Sequence, residues 1–125
     1  MSNPPPLFEL EADVMEIVWR AGEATVREVM DALNARYGRP RAYTTVLTTM
    51  QRLDRKGMLT RRREGQTDVY APFLTEDEYT EARAGAEVGE VIEQFGDAAL
   101  VHFARQMATL DPERRARLRR LAGDA

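Results

Sequence analysis

The chain has 125 residues, 43% hydrophobic and 31% charged, proportions ordinary for one or two small globular units. It has no cysteine, which excludes disulfides, thiolate metal sites and cysteine nucleophiles, and no apolar run approaches the roughly 18 residues a membrane span needs. The net charge of −3 conceals an asymmetry: between Arg36 and Arg63 nine Lys/Arg residues face one acid, Asp54, whereas the first 35 residues hold seven acids and two bases. A local surplus of about +8 inside an acidic protein is the electrostatic footprint of a surface that docks on phosphates.

Residues 1–7 form a Pro-rich segment with no basic region and no apolar signal core, so a flexible tail on a cytoplasmic protein is expected. A first helix is predicted from about Phe8 to Arg20. Leu10, Val14, Ile17 and Val18 recur at helical spacing, and Phe8, Met15 and Trp19 widen the apolar arc. Trp19 is expected to pack in the core or on the hairpin. Gly22 is the stop signal, and Thr25 with Glu28 has the spacing of a capping box that opens a second helix. That helix buries Val26, Val29, Met30 and Leu33 and ends near Asn34, ahead of Gly38 and Pro40.

The third helix is predicted from Ala42 to Lys56, stopped by Gly57. On a helical wheel Tyr43, Val46, Leu47, Met50 and Leu53 share one side, while Arg41, Thr44, Thr45, Thr48, Arg52 and Arg55 share the other. Threonine is a mediocre helix former, so four in six residues need a reason. A free face of hydroxyls and guanidinium groups without a carboxylate is suited to an anionic surface. Thr45 and Thr48 are placed to read bases, and Arg52 and Arg55 to hold the backbone.

Residues 59–63 and 68–71 read as a β-hairpin around a Gly65 turn, closed by Pro72. Its first strand ends in Arg61, Arg62 and Arg63. Strand alternation sends Arg61 and Arg63 to one face and Arg62 to the other, so not all three meet one surface. Arg27, after the Thr25 cap, suits either a phosphate or a surface ion pair. Three helices followed by a basic hairpin is the winged helix-turn-helix order.

Beyond Thr75 the balance turns acidic. Ala84, Val88, Val91, Ile92 and Phe95 form one apolar helical stripe, and Leu100, Phe103, Ala104, Met107 and Leu110 a second. Asp111-Pro112-Glu113 has the pattern of an N-cap, N1 proline and first-turn acid of a last short helix. So few helices with such narrow stripes do not close a core alone, and burial against a second copy is expected. The candidate interface comprises Val88, Val91, Ile92, Phe95, Leu100, Phe103, Met107 and Leu110. The fold class read here is mainly α with a small β-hairpin: a tail over 1–7, a winged helix over 8–73 and dimerisation helices over 74–125. No Gly-rich phosphate loop, nucleophile triad or metal cluster appears, so neither an enzyme nor a cofactor or metal site is expected, and His102 is a lone histidine.

The string Ala42-Tyr43-Thr44-Thr45-Val46-Leu47-Thr48-Thr49-Met50-Gln51-Arg52-Leu53, closed by Lys56-Gly57, resembles the penicillinase-repressor family of BlaI/MecI type. Leu10 to Trp19, Gly22 to Val29 and Tyr70-Ala71-Pro72 add to the resemblance, which covers residues 8–73 well and the remainder loosely. The resemblance implies a homodimeric transcriptional repressor of operator DNA with inverted TACA/TGTA-type repeats. Many members control β-lactam response genes. Some are released when a signalling protease cuts an Asn-Phe bond; the matching position here, His102-Phe103, departs from that pattern. Release by protease or by small inducer both stay open. The competing class is a winged-helix adaptor for protein contacts, which would favour aromatic and aliphatic anchors on the third helix over Thr and Arg.

Overall fold

The computed structural model describes residues 3–36, 38 and 40–123. Six helices and one hairpin follow in the order α1 (Glu9–Ala21), α2 (Val26–Arg36), α3 (Tyr43–Arg55), β1 (Leu59–Glu64), β2 (Thr67–Pro72), α4 (Glu76–Phe95), α5 (Asp97–Ala108) and α6 (Pro112–Gly123). The chain divides into two compact units, residues 1–84 and 85–125.

In the first unit the helices turn narrow stripes towards one core, made by Val14, Met15, Val18, Val26, Val29, Leu33, Val46, Met50 and Leu53 with Met58, Leu59 and Tyr70. Burying each Val, Leu or Met side chain contributes about 1.5–3 kcal/mol, which holds a unit whose individual helices are too short to persist alone. The Thr25 capping box forms in both directions: the Glu28 amide donates to Thr25 Oγ1 at 3.2 Å and the Thr25 amide to Glu28 Oε1 at 2.8 Å. Thr75 and Glu78 repeat the device at the start of α4, at 3.1 and 2.8 Å, a T-x-x-E signal that the sequence reading passed over.

β1 and β2 pair antiparallel from Leu59↔Pro72 to Glu64↔Thr67, each strand running closer to the turn than expected. The link shrinks to Gly65-Gln66, with Gly65 at φ 62°, where a two-residue hairpin demands the left-handed region. Ala24 exchanges both backbone hydrogen bonds with Tyr70 at 2.9 Å, so the segment ahead of α2 adds a single antiparallel bridge and docks the wing on the helices.

Two expectations change and one holds. Phe8 is the N-cap of α1 and stays exposed, outside the apolar arc. Trp19 packs against the core as expected, half-buried at its edge: its indole Nε1 donates to Leu74 O at 2.9 Å and its ring lies 5.5 Å from that of Tyr79. Pro4 and Pro5 are pinned rather than loose, their carbonyls accepting from Arg83 Nη1 at 3.1 Å and Tyr79 Oη at 2.9 Å. These contacts fasten the first turns of α4 to the first unit, so the division falls after Ala84, later than the expected 73/74 boundary.

The second unit holds the end of α4 with α5 and α6. Gly96, at φ 60°, turns α4 into α5. Asp111 caps α6 as expected, accepting from the Arg114 amide at 2.8 Å. Ala99 is the one buried hydrophobic residue among the described residues of this unit. Val88, Val91, Phe95, Leu100 and Val101 remain exposed, and Ile92, Phe103, Met107 and Leu110 are half-covered.

Candidate nucleic-acid interface

The third helix presents three stripes. Val46, Met50 and Leu53 are fully buried, joined by Thr49, whose hydroxyl donates to Thr45 O at 2.8 Å and so fits an apolar wall. Thr44, Thr45, Thr48 and Arg55 are exposed, as the wheel requires. Leu47 packs half-buried against the core as expected, whereas Tyr43, expected on the same apolar side, is 44% exposed. With Gln51 they make an i, i+4, i+8 row along a groove of about 650 Å³, whose other walls include Thr25 and Arg27 of the α2 start and Arg63, Gln66 and Thr67 of the wing. The groove thus lies between α3, the start of α2 and the hairpin tip, and it is rich in donors and acceptors.

The wing is less positive than its sequence. Arg62 bonds Glu23 with both terminal amines and reaches Glu64 at 2.6 Å. Its hydrogen bonds hold the Glu23 carboxyl below the usual carboxylate range. Arg63 pairs with Asp68 at 3.2 Å, and Arg61 approaches the same carboxylate at 3.8 Å. The expected alternation is present, since Arg61 and Arg63 share Asp68 while Arg62 faces Glu23. The surplus counted between Arg36 and Arg63 is nevertheless offset in space by acids flanking that segment. Arg27 is exposed on the first turn of α2, and Arg41 is half-buried, its amide donating to Asn34 Oδ1 at 2.7 Å.

Arg52, expected among the phosphate-binding cations, has its Nε on Glu11 Oε2 at 2.9 Å. Glu11 is 0% exposed. Its two oxygens also take Lys56 Nζ at 2.9 and 3.1 Å, and Oε1 takes the Phe8 amide at 2.9 Å. Lys56 lies 4.8 Å above the Phe8 ring, a cation–π contact that closes the cluster. Burial pushes the Glu11 carboxyl up, but the Phe8 amide and the bonds from Lys56 and Arg52 outweigh it and hold it below its ordinary value. The third helix therefore does carry a carboxylate beside its basic face, supplied from α1.

Glu11, Gln51, Gln66 and Thr67 join this surface without having been expected there from sequence. A signal for Glu11 existed: positions 11, 14, 15 and 18 have i, i+3, i+4, i+7 spacing, the stripe that α1 buries. The row 43, 47, 51 likewise marked Gln51. Nothing local marked the wing-tip residues, whose place follows from the hairpin register.

In the second unit Val91, Phe95, Ala98, Ala99, His102 and Phe103 line an apolar groove of about 360 Å³. The His102-Phe103 peptide lies inside α5, so a protease would have to open that helix to cut there. Among the described residues no group of three His, Cys, Asp or Glu side chains is placed to hold a metal, and no helix is long and apolar enough to cross a membrane.

Comparison with known proteins bears on what such a surface serves. The family model described as penicillinase repressor matches residues 7–123. The transcriptional regulator BlaI of Mycobacterium tuberculosis is 39% identical over 113 residues, 86% of this chain and 78% of the relative. Among solved structures, the DNA-binding domain of the repressor BlaI is 29% identical with a TM-score of 0.53, covering 63% of this chain and 94% of that domain. Monomeric BlaI of Bacillus licheniformis in complex with the blaP half-operator is 29% identical with a TM-score of 0.52, at the same two coverages.

Proposed function

This chain belongs to the penicillinase-repressor family, a class of transcriptional regulators and not of enzymes, and we propose that it represses transcription as a homodimer gripping an inverted-repeat operator. The observation that carries this reading is the third helix: Thr44, Thr45 and Thr48 stand exposed on the flank opposite a fully buried Val46-Met50-Leu53 stripe. Thr45 and Thr48, in the half of the helix that enters a major groove, read base edges and thymine methyls. Tyr43, Thr44 and Gln51 extend that contact towards the wing. Arg27, Arg41, Arg52 and Arg55 hold phosphates, joined by whichever of Arg61, Arg62 and Arg63 exchange their carboxylates for the DNA backbone. A protein-adaptor surface would present aliphatic anchors where this helix presents threonines.

What supports dimerisation is the second unit, with Val88, Val91, Phe95 and Leu100 exposed and Ile92, Phe103, Met107 and Leu110 half-buried. Two recognition helices held about one DNA turn apart, roughly 34–36 Å, convert two weak half-site contacts into one tight one. Loosening the C-terminal face then releases DNA without touching the threonines, whether the trigger is a protease acting near His102-Phe103 or a small inducer. A cytoplasmic location and target genes of the β-lactam response accompany this reading.

Binding selection on random duplexes tests it. The expected product is a palindrome of TACA/TGTA-type half-sites, bound with affinity that falls steeply as salt rises. Failure to bind any duplex at low ionic strength would overturn the reading.

A further inference from the structure

The Glu11 cluster asks why a carboxylate occupies the buried stripe of α1. A leucine at position 11 would continue Val14, Met15 and Val18 without desolvation, and a buried ion pair is seldom more stabilising than a well-packed apolar replacement. What the carboxylate does instead is hold Arg52. That side chain is 41% exposed, and Glu11 engages its Nε alone, at 2.9 Å. A guanidinium is a rigid plane with Nε on one edge and the terminal amines on the other. Among the described residues neither terminal amine of Arg52 has a hydrogen-bond partner, so Glu11 grips the Nε side and leaves the outer fork uncommitted. Positions 45, 48 and 52 follow one another along the face that carries the exposed threonines.

We propose that Glu11 is a positioning residue for DNA binding: it fixes Arg52 from behind, so that the terminal amines form a preset two-pronged donor for a backbone phosphate beside the base-reading threonines. Lys56 has the opposite fate. Its ammonium donates to both Glu11 oxygens and lies over Phe8, so its charge is turned inward. The cluster thus separates two cations at the end of the recognition helix, one aimed outward and one retained. This inference rests on the DNA-binding reading above.

Charge alone makes the contrary forecast. Neutralising an acid next to phosphates, and freeing two cations from it, should tighten binding and steepen its salt dependence. If Glu11 positions Arg52, neutralising it weakens binding, because a freed arginine must be ordered at the moment of contact. The experiment titrates a fluorescent duplex carrying an inverted TACA/TGTA repeat, with a scrambled duplex alongside, at several salt concentrations. Glu11→Gln is expected to lose about three- to ten-fold in affinity on both duplexes, since a phosphate contact is blind to sequence. Arg52→Gln should lose about ten- to a hundred-fold, and the double variant no more than Arg52→Gln alone. Should Glu11→Gln fail to fold, Arg52→Lys keeps the positive charge and a partner for Glu11 but has no outer fork. It is expected to lose most of what Arg52→Gln loses. Unchanged or tighter binding by Glu11→Gln, additive losses in the double variant, or full affinity in Arg52→Lys would each overturn the positioning role. If the unsubstituted protein ignores both duplexes, the DNA-binding reading falls first. If it binds them and the variants bind equally well, the positioning role falls by itself.

Discussion

Glu11 shows how much one side chain can decide. Its carboxylate takes four hydrogen bonds, from the Phe8 amide, Arg52 Nε and twice from Lys56, and so joins the first turn of α1 to the last turn of α3 and its cap. Removing one partner of a buried pair leaves uncompensated charge. Glu11→Ala should therefore lower unfolding stability by about 3 kcal/mol, the low end for buried pairs because Arg52 and Lys56 can turn partly to water. The pH dependence has a definite sign. The folded carboxyl titrates below its ordinary 4.5, so its contribution is complete above that value and fades as pH falls through the lower folded one. Melting temperatures measured between neutral and acid pH should fall less steeply for Glu11→Gln than for the unsubstituted protein; parallel curves would count against this linkage.

Among the elements, α4 is fastened at its start by contacts distant in sequence. Its first turn is capped reciprocally by Thr75 and Glu78, and it is tied down by the Trp19 indole, the Trp19–Tyr79 ring contact and the Pro4 and Pro5 carbonyls. Trp19→Phe keeps an aromatic ring against Tyr79 but loses the bond to Leu74 O. It should cost about 1 kcal/mol in chemical denaturation, read with the midpoint shifted and the slope unchanged. Thr75→Ala should cost about the same through the lost cap. The wing shows the reverse relation between element and neighbours. Its strands pair locally, yet buried Leu59 and Tyr70, the Ala24–Tyr70 bridge and the Arg62–Glu23 pair fasten it to the helices.

At the scale of the whole molecule the two units differ in what they cover. The first buries a continuous core from Val14 to Tyr70, whereas the second leaves Phe95 58% and Leu121 77% exposed. A monomer seldom leaves so many large apolar side chains in water on so short a segment. Phe95→Asp places a charge on the apolar face that the homodimer reading requires. It should shift sedimentation towards monomer and weaken operator binding, while the helical content of the first unit and binding to a single half-site persist. A variant that stays dimeric with full operator affinity would remove Phe95 from the interface.

The sequence by itself determined the elements and the chemistry of the exposed helix face, because both are local. Helix caps at Thr25 and Asp111, the 3.6-residue spacing of Val46, Met50 and Leu53, and the glycine-centred turn need only neighbours a few positions away. The threonines at 44, 45 and 48 were legible for the same reason: a wheel that identifies the buried side also identifies its opposite. Tertiary structure decided which charges remain available. Asp68 is shared by Arg61 and Arg63, Glu23 takes Arg62, and Glu11 takes Arg52 and Lys56, a pairing across 41 and 45 residues of chain. Coulomb interactions depend on distance in space, so a charge count along the chain can locate a basic surface but cannot say which of its cations are held by carboxylates.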